Sequence, residues 1–166
     1  MNECDIRWPP DLLPAESPVH TRNELRIRAD PSVVWAWLVR AQEWPRWYSN
    51  CKDVRFQFKP GPDLAMGTRF SWTTFGVRVD TTVQEFVAPR RLAWRGSGLG
   101  ACGYHAWVLE PLDGGCHVIT EETQAGLVPS LARAFLRRGL LREHQSWLEG
   151  LARVARGGLP PDVARR

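Results

Sequence analysis

His105 and Glu122 are the pair whose types and spacing best suit acid–base chemistry in this sequence. They fall on two alternating segments, 102–110 and 116–125, joined by Asp113-Gly114-Gly115, a hairpin turn signal. Antiparallel pairing about that turn sets the imidazole nearly opposite the carboxylate. A carboxylate so placed raises a histidine pKa and orients the ring as an acid or a base. The same pair also suits a plainer role, as a satisfied buried contact that fixes strand register or as a polar anchor for a ligand. Alternation leaves the facing open, because Ile119 argues for the opposite face of the second segment. His144 is a third candidate, on the apolar stripe of a helical segment. A lone histidine there serves as a hydrogen-bonded core residue or reaches into a pocket. Asp80 and Glu85 sit on opposite faces of one alternating segment, so one of them is expected to face inward.

Other chemistries have little footing. Cys4, Cys51, Cys102 and Cys116 form no C-x-x-C, and His20, His105, His117 and His144 form no H-x-x-x-H, so reduced thiols and no metal are expected. The GSGLG run at 96–100 lacks the G-x-G-x-x-G frame and a following helix, and no G-x-S-x-G surrounds Ser97 or Ser130. No cofactor is expected. The net charge of +4 rests on arginine, Lys52 and Lys59 being the only lysines among 22 basic residues. Those charges are scattered, which argues against a nucleic-acid partner. No apolar run nears the roughly 20 residues that span a bilayer. The start, MNECDIRWPPDLLP, lacks a basic stretch followed by an apolar one, so no stable membrane insertion and a cytoplasmic location are expected. A chain of 166 residues suits one domain with a real core. Monomer and homodimer both remain open.

The elements that must position these side chains follow in order. Residues 1–20 hold four prolines and read as an N-terminal arm packed over the domain through Trp8 and Leu12/Leu13, or as a partly disordered one. A first strand occupies 21–29. Asp30 caps, and Pro31 opens, a helix over 31–41. Trp44-Pro45-Arg46-Trp47 makes a second, short helix. About six strands then alternate without a long helical interruption, which predicts an antiparallel meander. From 129 to 156 the period changes: Leu136, Leu140, His144, Trp147 and Leu151 fall within about 80° of a helix circumference. Arg138, Arg142, Arg153 and Arg156 take the opposite, solvated face, and Gly157-Gly158 with Pro160-Pro161 ends the helix before a tail at 158–166.

The order and these residues resemble the SRPBCC (START-like, Bet v 1-like, helix-grip) superfamily, in its polyketide cyclase/dehydrase-like branch. Ala29-Asp30-Pro31-Ser32-Val33-Val34-Trp35 with Leu38, then Trp44-Pro45-Arg46-Trp47, carry the likeness at the first helices. Gly67-Thr68, Leu92-Ala93-Trp94, the segment from His105 to Leu109-Glu110-Pro111, and Thr120-Glu121-Glu122 through Gly126-Leu127 carry it along the sheet. The likeness covers about 21–156, within a ligand-binding domain bounded at 21–157. It implies an α+β helix-grip fold, a curved antiparallel sheet wrapped around the long C-terminal helix, with a deep pocket between them. It also implies that His105 and Glu122 point inward, with Trp107 and Leu109 on the histidine's face.

Three functions compete on this reading. The first is binding of a small hydrophobic molecule (lipid-, polyketide- or quinone-like) by Trp47, Phe70, Trp72, Trp94, Trp107, Leu140, His144 and Trp147. Large aromatics supply apolar area and an indole N–H for a ligand oxygen, unless they fill the space themselves. The second is a polyketide aromatase/cyclase or dehydratase, with His105 and Glu122 as the catalytic pair. The third is an interaction module that uses the basic face of the last helix.

Overall fold

The computed structural model describes residues 5–58, 61 and 63–161; Cys4 and most of the tail lie outside them. Seven strands form one antiparallel sheet: β1 (Val19–Ile27), β2 (Lys52–Phe56), β3 (Arg69–Thr74), β4 (Val77–Val87), β5 (Arg91–Gly98), β6 (Ala101–Leu112) and β7 (Gly115–Gly126). Their spatial order is β1-β7-β6-β5-β4-β3-β2. The strands after β1 are thus a simple meander, and β1 closes onto the last of them. Helices α1 (Pro31–Val39) and α2 (Trp44–Trp47) follow β1, and α3 (Leu127–Arg156) ends the fold. The α+β helix-grip arrangement is therefore the one present.

Local chemistry accounts for the element ends. The Asp30 carboxylate accepts from Ser32 N–H at 2.8 Å, and Pro31 occupies the first turn of α1, where no helical N–H is lost. Gly126, at φ 118°, carries the chain from β7 into α3. A Cβ there would stand 2.5 Å from the Gly100 carbonyl oxygen, so a side chain is excluded by backbone and by space. At the far end of α3, a Cβ on Gly150 would lie 2.6 Å from the Trp47 carbonyl oxygen. That bare glycine lets α3 close on α2.

The concave face of the sheet, α1, α2 and the C-terminal half of α3 share the main core. Its centre is aromatic: Trp44 is wholly buried, with the rings of Phe70, Trp72, Trp94 and Trp147 between 5.1 and 5.9 Å away. Trp35 packs edge-on against Phe86 at 5.2 Å, which anchors α1 to the sheet. Trp37 donates to the Gly158 carbonyl at 2.7 Å and holds the end of α3.

The convex face has a smaller core. Leu12 is buried with Ala93, Tyr104 and Ala106, while Trp8 packs on Tyr104. Asp11 pairs with Arg95, and Thr123 Oγ1 donates to the Leu12 carbonyl at 3.0 Å. The arm thus covers the back of the sheet. Neither Asp80 nor Glu85 faces α3, contrary to strict alternation. A bulge between Val83 and Glu85 shifts the register, so Glu85 pairs beside Ala93 on the convex side. The extra residue re-aims every later side chain of β4.

Candidate functional site

Direct register across four strands builds the polar centre of the concave face. Thr21 of β1 pairs with Glu122 of β7, Glu122 with His105 of β6, and His105 with Trp94 of β5. Side chains directly opposite on adjacent strands share a face, so these four form one row across the sheet. From α3, His144 descends onto the row. Its Nε2–H donates to Glu122 Oε2 at 3.0 Å, and its Nδ1 lies 3.5 Å from Thr21 Oγ1. His105 Nδ1 stands 3.2 Å from the same Glu122 oxygen, while its Nε2 hydrogen-bonds Thr120 Oγ1 at 2.7 Å. Gln124 donates to the other carboxylate oxygen, Oε1, at 2.7 Å. Each imidazole therefore offers one nitrogen to Glu122 and the other to a threonine hydroxyl.

Burial sets the charge states. His105, ordinarily at 6.5, is pushed down to about 3 by removal from water, which outweighs the upward pull of Glu122; His144 adds to the depression. The facing carboxylate does not win, so the sequence expectation of a raised histidine pKa is reversed. Burial acts in the opposite direction on Glu122, working to raise it. There the His144 hydrogen bond, the charge interactions with His105 and His144, and the Gln124 amide prevail, and the carboxyl is held at about 2 against an ordinary 4.5.

Stability should follow these shifts. An unfolded chain takes up a proton at His105 as pH falls through 6.5, whereas the folded chain resists until about 3. Glu122 adds a second loss between 4.5 and about 2. Stability present at pH 7 is therefore expected to decline steadily as the solution is acidified below 6.5. Urea midpoints of chelator-treated protein between pH 7 and 4 check this, and the slope between 6.5 and 5 should flatten in His105→Gln. An equal slope in that variant would contradict the assignment.

Beside the row lies a cavity of about 430 Å³ between α3 and the sheet, a size usual for small-molecule sites. His105, Glu122, Gln124, His144 and Trp147 line its inner part, with Tyr48, Trp72 and Trp94. Phe75, Leu99, Val128, Phe135, Leu136 and Gly139 line the outer part. Phe135 is 80% exposed and Leu99 72%, so the mouth is apolar and open. Tyr48 stacks on Trp147 with ring centroids 4.4 Å apart, a rigid floor.

Of the residues singled out from the sequence, the structure gathers His105, Glu122, Trp72, Trp94, Leu140, His144 and Trp147 on this cavity. Trp47, Phe70 and Trp107 lie elsewhere, packed in the core. Trp47 is held against Gly150, Phe70 against Trp44, and Trp107 between His105 and Trp147. The tryptophans thus do both things: some fill the core and others leave walls. Sequence reasoning passed over Thr21, Tyr48, Thr120 and Gln124. Thr120 and Gln124 share the period-two face of Glu122, a visible signal; Thr21 and Tyr48 need tertiary structure.

The chain belongs to the polyketide cyclase/dehydrase and lipid transport family, whose model matches residues 18–156. Among solved structures it is similar to hypothetical protein jhp0584 of Helicobacter pylori, at 32% identity over 93% of this chain and 97% of that one, with a TM-score of 0.84. TTHA0849 from Thermus thermophilus shares the fold at 19% identity and a TM-score of 0.69, covering 83% of this chain and 97% of that one. The di-domain ARO/CYC StfQ from the steffimycin biosynthetic pathway shares it at 15% identity and a TM-score of 0.70, over 84% of this chain and 51% of that one. No curated protein matches significantly. Among the described residues, no helix is long and apolar enough to cross a membrane.

Proposed function

We propose that this protein binds a largely apolar, oxygen-bearing small molecule of polyketide or quinone character between α3 and the sheet. One observation carries the reading: a cavity of about 430 Å³ with largely apolar walls and a concentrated polar cluster, His105, Glu122 and His144, at its inner part. Apolar area supplies affinity, and a few convergent polar groups fix orientation. A ligand hydroxyl would donate to the Glu122 carboxylate, and a carbonyl would accept from an imidazole N–H. The exposed apolar rim at Leu99 and Phe135 gives such a molecule an entrance.

Gly139→Phe tests the binding site. A Cβ on Gly139 meets only Phe75, at 3.6 Å, so a side chain fits without distorting backbone. A phenyl group there closes the mouth. Affinity for a hydroxylated naphthoquinone probe, followed by tryptophan fluorescence, is expected to fall at least tenfold with the melting temperature unchanged or raised, since glycine is a poor helix former. Unaltered affinity would place the ligand elsewhere.

A second reading, proton-transfer catalysis on a polyketide-like ketone or enol, is supported by the His105–Glu122–His144 contact. A neutral imidazole at pH 7 accepts a proton from carbon or oxygen, and the adjacent carboxylate stabilises the resulting imidazolium. On that reading His105→Ala lowers turnover by about 10²–10⁴-fold while substrate binding persists. Turnover equal to wild type would remove catalysis from His105.

A further inference from the structure

We propose that His105, Glu122 and His144 form a binding site for one divalent transition-metal ion, zinc by preference, with an open coordination position facing the cavity. This goes beyond the binding reading and does not rest on it. The donor set is two imidazole nitrogens and one carboxylate oxygen, all within 4.8 Å of one another. Three protein ligands of this composition plus one open position are typical of catalytic zinc sites.

The geometry supports a common centre. Metal bonds of roughly 2.0–2.2 Å at tetrahedral angles put ligand atoms about 3.3–3.5 Å apart. The two edges that meet at Glu122 Oε2 measure 3.2 Å to His105 Nδ1 and 3.0 Å to His144 Nε2. The third edge, between the two imidazole nitrogens, lies within 4.8 Å, so an ion enters as the carboxylate moves outward and the two rings draw in on it. The three ligands come from three different elements, β6, β7 and α3, and their side chains are only 5%, 13% and 3% exposed.

The surrounding groups also suit a metal. Metal-bound histidines characteristically donate their other N–H to an oxygen, which fixes the tautomer. Here the other nitrogen of His105 meets Thr120 Oγ1 at 2.7 Å, and that of His144 faces Thr21 Oγ1 at 3.5 Å. Gln124 holds the second Glu122 oxygen, leaving Oε2 to the ion. Without an ion, the same three side chains satisfy one another by hydrogen bonds, so the site is preformed. The histidines lie 39 residues apart in sequence on a strand and a helix, which is why no spacing motif announces them. An ion would occupy the lone pairs that the proton-transfer reading requires, so those two readings are alternatives at one cluster.

Untagged protein, stripped with chelator, is to be titrated with Zn²⁺ by calorimetry and with Co²⁺ by visible absorption. The expected result is one ion per chain and the visible bands of four- or five-coordinate Co²⁺. Glu122→Gln and His144→Gln, each checked for folding by circular dichroism, should lose at least a hundredfold in affinity. Thr120→Val, nearly isosteric, should lose about 10–100-fold as a positioning residue. Wild type that takes up no ion, or gives only the weak spectrum of hydrated Co²⁺, overturns the proposal. So does undiminished affinity in the folded variants. Should the glutamine variants fail to fold, the wild-type Co²⁺ spectrum and Thr120→Val still decide it.

Discussion

Trp44→Ala is expected to lower stability by about 3–5 kcal/mol. Four aromatic rings surround this wholly buried indole, and its Nε1–H donates to the Leu38 carbonyl at 3.0 Å. Alanine removes the indole, leaves a void among rigid rings that collapse poorly, and strips the carbonyl at the end of α1 of a partner. Three of those rings, on Trp72, Trp94 and Trp147, also form cavity wall on their other sides. Ligand affinity should therefore fall along with stability. Urea denaturation would show a lower midpoint at unchanged m-value. Trp44→Phe should recover part of the loss, and a change below about 1 kcal/mol in the alanine variant would contradict this view of the core.

The second large effect lies on the other side of the sheet. Glu85→Ala is expected to cost about 3–5 kcal/mol. The Glu85 carboxylate is 6% exposed, stands 2.5 Å from Arg91 Nε, and accepts from Tyr104 O–H at 2.7 Å and from the Arg7 backbone N–H at 2.9 Å. Removing it leaves a buried guanidinium without this carboxylate, a buried hydroxyl without its acceptor, and the arm without one of its ties. Glu85→Gln keeps an oxygen in place and should cost clearly less. Because the cluster faces away from α3, folded Glu85→Gln should bind a cavity probe as wild type does. Equal destabilisation by both substitutions would mean that shape, not charge and hydrogen bonding, matters there.

Much of this architecture is legible in the sequence because its signals are local. Asp30-Pro31 marks the helix start, period-two runs mark strands, and the Leu136–Leu151 stripe marks α3 and its buried face. The turn at 113–115 even pairs His105 with Glu122, since hairpin register follows from turn position. What the sequence conceals is long-range. The bulge near Gln84 rephases β4 and sends Glu85 to the convex face, and no residue type there demands it. The division of tryptophans into wall and filler depends on how closely α3 approaches α2 at Gly150. His144 joins the His105–Glu122 pair only when α3 lies across β1 and β7. The direction of the His105 shift depends on depth of burial, which periodicity does not measure.

If the space between α3 and the sheet is a ligand site, native mass spectrometry of the protein with a hydroxylated naphthoquinone tests it most directly, with Gly139→Phe run in parallel. The expected result is a one-to-one adduct for wild type, displaced by competing probes, and little or none for Gly139→Phe. Adducts of equal abundance in both proteins, or none in wild type with any oxygenated apolar probe, would contradict it.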